Sequence, residues 1–147
     1  MPYITNKKAK FNYEIVDTYT AGIELFGYEV KSIRGGRGSL EGSHVVIRGN
    51  EAYLVEATIP AYQPKNAPAT YAEARPRKLL LTKKEISAIL NEEKRNGLTI
   101  VPLSMYNKGV KIKVDIATVR GKKKYDKRES IKKRDTERDL GKKLKNR

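Results

Sequence analysis

Few residues of this chain are suited to covalent or acid–base chemistry, and many are suited to holding a polyanion. The single histidine, His44, sits inside SHVVIRG, a strand-forming run, and one imidazole cannot build a multi-histidine metal site. The chain contains no cysteine, which removes disulfides, thiolate metal sites and a cysteine nucleophile together and suits a reducing compartment. Glu92-Glu93, the one adjacent acidic pair, reads as the solvated end of a helix. No catalytic residue, metal site or cofactor is therefore assigned. What the sequence offers instead is positive charge: 32 Lys and Arg against 17 Asp and Glu, net +15. Such a balance favours a polyanionic partner, with nucleic acid as the leading candidate.

The charge is unevenly placed. Residues 120 to 147 hold fourteen Lys and Arg against five acids, so nine of the fifteen excess charges lie in the last 28 residues. That segment opens with GKKKYDKRE and continues with only Ile131, Leu140 and Leu144 as aliphatic side chains, too few to offset the entropy of ordering a backbone. The chain thus divides into a domain, 1–119, and a basic tail, 120–147. A length of 147 residues supports one domain with one core. No apolar run is long enough to span a bilayer, and MPYITNKKAKF lacks the apolar stretch of a secretion signal, so a cytoplasmic location and no membrane partner are expected.

The elements that must position these charges follow from periodicity. Residues 1 to 12, with Asn6, Lys7, Lys8 and Lys10, read as a basic arm. YEIVDTY is strand-like, and Gly22 separates it from GIEL. Phe26, Val30 and Ile33 share one face of a short helix, which puts Glu29, Lys31 and Arg34 away from that stripe; Gly35, Gly36 and Gly38 end it. SHVVIRG and EAYLVEATI form a hairpin around Gly49-Asn50, with Tyr53, Val55, Ala57 and Ile59 marking a buried face. Residues 60 to 77 form a long, proline-punctuated connection ending in Arg75, Arg77 and Lys78, before the apolar run at Leu79. Thr82 to Glu85 is a capping box that starts a helix ended by Gly97. LTIVPLS and VKIKVDIATV complete the sheet, the latter with Val110, Ile112, Val114 and Ile116 on one face and Lys111 and Lys113 on the other. The expected fold is mainly β with helices: a small antiparallel Greek-key barrel resembling the oligonucleotide-binding (OB) fold, of about six strands and two to three helices.

Four segments together, GYEVKSIRGGRGSLEGSHVVIRGNEAYL, RKLLLTKKEI, GLTIVPLSMY and VRGKKKYDKRE, resemble the SsrA-binding protein (SmpB) family, the partner of transfer-messenger RNA in trans-translation. The resemblance implies a non-enzymatic adaptor. Its barrel binds the tRNA-like domain of transfer-messenger RNA, one copy per RNA. Its tail occupies the decoding centre and empty mRNA channel of a stalled ribosome, against small-subunit ribosomal RNA. Family positions for RNA binding by the barrel fall on Asn6 and Leu80, with Lys7, Lys8, Lys31, Arg34, Arg77 and Lys78 supplying charge toward phosphate. The decoding-centre motif falls on Gly121, Lys122, Lys123, Tyr125, Asp126, Lys127 and Arg128; beyond it, good helix formers and charges of both signs at helical spacing, with Leu140 and Leu144 at i and i+4, predict a tail disordered when free and helical on the ribosome. One position departs from the family pattern: Thr20 stands where an acidic residue is common, and Asp17 or neighbouring backbone is the expected substitute. The competing readings are a small basic RNA-processing enzyme and a generic ribosome-associated RNA-binding protein.

Overall fold

A computed structural model of the chain describes residues 3–121; Lys122 to Arg128 of the expected decoding-centre motif, and the rest of the tail, lie outside the described residues. The elements run β1 (Ile4–Thr5), α1 (Lys7–Asn12), β2 (Tyr13–Ile23), α2 (Gly27–Arg34), β3 (His44–Arg48), β4 (Glu51–Val55), β5 (Arg77–Leu80), α3 (Lys83–Asn96), β6 (Thr99–Lys108) and β7 (Lys111–Gly121), with a 3-10 turn at Pro64–Asn66. All strand pairs are antiparallel, in one open sheet of order β1-β6-β7-β2-β5-β4-β3. Although β3 and β6 are not hydrogen-bonded neighbours, they lie beside each other, so the sheet is rolled.

Asn6 clips that roll together. Its buried side-chain Nδ2 donates to the Pro102 carbonyl in β6 at 2.9 Å and to the Leu40 carbonyl, just ahead of β3, at 3.4 Å. The main core fills the inside of the roll, with Ile33, Leu54, Ile59, Leu79, Ile89, Ile100, Met105 and Ile116 almost wholly buried. A second, smaller cluster of Ala9, Val101, Ala117 and Val119 packs α1 against the other side of β6 and β7.

The local signals act where they were expected. The Glu85 N–H donates to Thr82 Oγ1 at 3.1 Å and the Thr82 N–H to Glu85 Oε1 at 2.9 Å, which satisfies two orphan donors at the start of α3. Gly97 ends that helix with φ 62°. Gly49 and Asn50 turn the β3–β4 hairpin with φ 55° and 65°, the left-handed pair that a two-residue hairpin requires.

Four expectations are corrected. The basic arm is itself part of the fold: Ile4–Thr5 adds a strand to β6, and KKAKFN forms α1, because Ala9 has an apolar cluster to bury against. Gly22 does not separate two segments. β2 runs through it to Ile23, and a Cβ there would meet the Leu80 side chain at 3.2 Å, so glycine makes room for the Gly22–Leu80 pair. In β4 the buried residues are Ala52 and Leu54, while Tyr53 and Val55 are only half-buried; Glu56, at φ 65°, reverses the phase so that Ala57 and Ile59 turn inward. Val110 is not on the buried face of β7 but stands 82% exposed in the β6–β7 turn.

Candidate nucleic-acid interface

Helix α2 and the long connection after β4 are joined by a buried ion cluster. Glu29, placed by its spacing on the outer side of the helix, is instead fully buried together with Arg77. The Arg77 Nε donates to Glu29 Oε2 at 2.9 Å and Nη2 to the same oxygen at 2.7 Å. Its remaining donors go to the carbonyls of Ala57, Arg75 and Glu73 and to the Tyr71 hydroxyl. Arg75 takes Glu29 Oε1 at 2.6 Å, and the Tyr71 hydroxyl donates to Glu29 Oε2 at 2.9 Å. The Phe26 N–H donates to the same carboxylate at 2.7 Å.

Burial alone would push the Glu29 carboxyl up. Hydrogen bonds from Arg75, the Phe26 N–H and Arg77, together with the Arg77 charge, outweigh it and hold the group below the ordinary carboxylate range. The Tyr71 hydroxyl is pushed up to about 12 by burial and by Glu29. Arg77, expected to direct charge at phosphate, is therefore committed inside the protein: its guanidinium anchors residues 71 to 77 to α2. Asn6 likewise works as a clip between strands, with its amide N–H groups turned to backbone carbonyls.

The other expected residues reach the surface. Leu80 is half exposed and lines an apolar groove of about 320 Å³ with Gly22, Leu25, Val30, Val110 and Ile112, bordered by Lys111 and Lys113. Arg34, on α2, donates to the Val110 carbonyl at 2.8 Å and so holds the β6–β7 turn beside the groove. Lys78, next to Leu80 on β5, pairs with Glu51 at 2.9 Å. Lys31 lies over the Tyr62 ring at 5.8 Å, Lys7 is exposed, and Lys8 pairs with Glu41 at 3.3 Å. The structure thus brings Leu80, Arg34 and the β7 lysines together, and leaves Lys7 and Lys8 at a separate place on α1. Exposed Val110 was the residue missed here; its position just after Gly109 in a hairpin turn was the available signal.

Thr20 lies beside a carboxylate after all, but not the expected one. Thr20 is paired across the ladder with Asp115, and its hydroxyl donates to Asp115 Oδ1 at 3.0 Å. The Tyr106 hydroxyl donates to the same oxygen at 2.8 Å. Asp17, three residues earlier on β2, lies instead beside Glu92 of α3. A β-bulge between Ile15 and Asp17 accompanies this placement. Cross-strand register, which the sequence alone does not print, places Asp115 rather than Asp17 beside Thr20.

Glu92 is no free helix-end carboxylate either. It accepts from the Tyr19 hydroxyl at 3.3 Å, and its Oε2 is buried with no hydrogen-bond partner among the described residues. Burial and the neighbouring Asp17 push this carboxyl up, against smaller pulls from the Thr118 and Tyr19 hydroxyls; Tyr19 rises to about 12 through burial and Glu92. A carboxyl raised by folding contributes its stability in the protonated state, and that contribution is lost as pH rises through the folded pKa. Glu92→Gln is accordingly expected to raise stability at neutral pH and to lose this advantage in acid. Urea denaturation at the two pH values checks it; a variant less stable at neutral pH would show that the charged carboxylate is favoured in the fold.

Fold and surface together define a class: a small rolled β-sheet domain of the OB type, with an apolar groove edged by cations on its outer face. Residues 3–146 match the family model described as SmpB protein, and the chain belongs to that family. Among its relatives are the SsrA-binding proteins of Mycoplasma mycoides subsp. mycoides, 50% identical over 97% of this chain and 95% of that one, and of Mesoplasma florum, 52% identical over 90% and 89%. The SsrA-binding protein of Gloeothece citriformis is 46% identical over 95% of this chain and 90% of that one. A solved chain from "tmRNA-SmpB: a journey to the center of the bacterial ribosome" superposes with a TM-score of 0.68 at 39% identity, covering 96% of this chain and 98% of that one. Among the described residues, no helix is long and apolar enough to cross a membrane.

Proposed function

We propose that this chain is an RNA-binding adaptor of trans-translation. Its barrel holds the tRNA-like domain of transfer-messenger RNA, and its tail enters the decoding centre and empty mRNA channel of a stalled ribosome, so that the RNA can be accommodated and tagging can proceed. It acts in the cytoplasm, as one copy per RNA, and performs no catalysis of its own. The observation that carries the barrel's part is the groove around Leu80: exposed apolar side chains at its floor and Lys111, Lys113 and Arg34 around it. Cations position phosphates, while a shallow apolar surface accepts ribose and base faces of an RNA whose shape supplies specificity. The relatives named SsrA-binding protein and the solved chain of a transfer-messenger RNA complex support the partner.

Lys111→Ala with Lys113→Ala is expected to weaken binding of the tRNA-like domain and to reduce the slope of log K against log salt by about 1 per lysine. Leu80→Ala weakens it without changing the slope. Equilibrium binding across a salt series checks both. Unchanged affinity and slope in both variants would remove the groove from the RNA interface. Purified protein that cleaves or modifies the RNA would favour the enzyme reading instead.

A further inference from the structure

One buried side-chain atom among the described residues has no hydrogen-bond partner, and it is Glu92 Oε2 near the end of α3. The other carboxylate oxygen, Oε1, takes the Tyr19 hydroxyl at 3.3 Å, so Oε2 alone is left over. A buried acceptor without a donor is costly. The groups that face Glu92 bring it no cation: Asp17 and Tyr19 come from β2 and the Thr118 hydroxyl from β7, while Glu85, two turns earlier on α3, acts on Tyr19. Among the described residues, no ion pair involves Asp17 or Glu92. Thr118 is itself engaged, since its Oγ1 accepts from the Asp17 N–H at 3.2 Å and turns its proton to the Asp17 carbonyl at 3.5 Å. What remains beside Glu92 is the Asp17 carboxyl, which is another acceptor.

We propose that Asp17 and Glu92 share one proton, and that this proton latches the end of α3 to β2. With the proton in place, Glu92 donates to the Asp17 carboxylate and the unpaired acceptor becomes a satisfied O–H. Released to water, the proton leaves two facing carboxylates whose repulsion loosens the helix end from the sheet. The placement assigns the donor: Glu92 Oε2 is buried, whereas Asp17 is exposed and opens the pair to solvent. Burial and Asp17 both push the Glu92 carboxyl up, the direction that the shared proton requires. A group raised by folding contributes in its protonated state and loses that contribution as pH rises through the folded pKa. The latch is therefore closed in acid and opens toward neutral pH. Its movement is confined to the last turn of the helix, because Ile89 is wholly buried in the core and Gly97 ends α3. That turn feeds β6, whose first residue, Thr99, pairs with Val119, and β7 ends two residues later at Gly121, where the basic tail begins. A proton-sensitive contact thus sits at the root of the tail. The inference stands apart from the RNA-binding reading above.

The test is an NMR titration of the side-chain carboxyls of the full-length protein, with amide exchange read beside it. In the wild type, Glu92 is expected to titrate above the ordinary carboxylate range. In Asp17→Asn its midpoint should fall, because the new amide N–H donates to Glu92 Oε2 and no shared proton is needed. Corrected for the intrinsic exchange rate, amides of residues 92–97 in the wild type are expected to lose about tenfold in protection between roughly pH 5 and 7.5. Asp17→Asn and Glu92→Gln should each keep that protection across the same range, since either amide supplies the missing donor permanently. A Glu92 midpoint that is ordinary in the wild type, or that stays raised in Asp17→Asn, would overturn the shared proton. Wild-type protection that does not change with pH, or that falls equally in both variants, would overturn the latch.

Discussion

Glu29→Gln is expected to lower the unfolding free energy by about 3 to 5 kcal/mol, the usual cost of removing one partner from a buried ion pair. The change keeps the side chain's size but leaves the fully buried Arg77 guanidinium without its counter-charge. The same carboxylate also takes Arg75, the Tyr71 hydroxyl and the Phe26 N–H, so the loss should loosen residues 71 to 77 and the start of α2 together. The sign with pH follows from the direction of the shift. Glu29 is held below its ordinary range, so its contribution is present above the unfolded carboxyl pKa and is lost as pH falls through the depressed one. Wild type and variant should therefore differ most at neutral pH and converge in strong acid. Chemical denaturation across pH measures this. A difference below about 1 kcal/mol at neutral pH would mean that the cluster barely offsets its own desolvation. Replacing Glu29 and Arg77 together by apolar residues should cost less than replacing either alone.

The second large effect lies in the tail and in function rather than stability. Exchanging Asp126 and Lys127 for each other, with Arg128→Lys, leaves the net charge unchanged. If the tail acts only as a counterion for ribosomal RNA, tagging should persist. The adaptor reading predicts loss of tagging while affinity for the tRNA-like domain stays at the wild-type value. Tyr125→Ala tests one element of the same motif: losing a base-stacking contact worth about 1 to 3 kcal/mol should reduce tagging about ten- to a hundredfold. In vitro tagging on ribosomes stalled at a message lacking a stop codon provides the readout, beside an RNA-binding assay.

How much of this was legible in the sequence depended on the range of the interaction. Thr82 and Glu85, Gly97, and the Gly49-Asn50 turn act within a few residues, and the capping box, helix stop and hairpin appear in the structure where the sequence put them. The fold class followed from strand periodicity. Misreadings occurred where a distant partner overrides the local pattern. Spacing placed Glu29 on the outer side of α2, yet two arginines nearly fifty residues away draw it inside. Arg77 read as a phosphate ligand because a basic cluster near a loop is usually solvated; a buried carboxylate on another element reverses that. Glu56 carries no obvious turn signal, and its left-handed conformation alone shifts the facing of β4's continuation. The Thr20–Asp115 pair is a matter of register between strands almost a hundred residues apart, which no local pattern encodes. Leu80 was identified through family likeness, whereas exposed Val110 beside it emerged only once the β6–β7 turn had a place.

The division of labour between barrel and tail is tested most directly by mapping protein–RNA crosslinks on stalled ribosomes, comparing the full chain with one ending at Gly121. The account predicts that the full chain crosslinks both to the tRNA-like domain, through the Leu80 face, and to small-subunit ribosomal RNA at the decoding centre. The shortened chain should keep the first set and lose the second. Decoding-centre crosslinks that survive the truncation, or tRNA-like-domain crosslinks that disappear with it, would contradict the account.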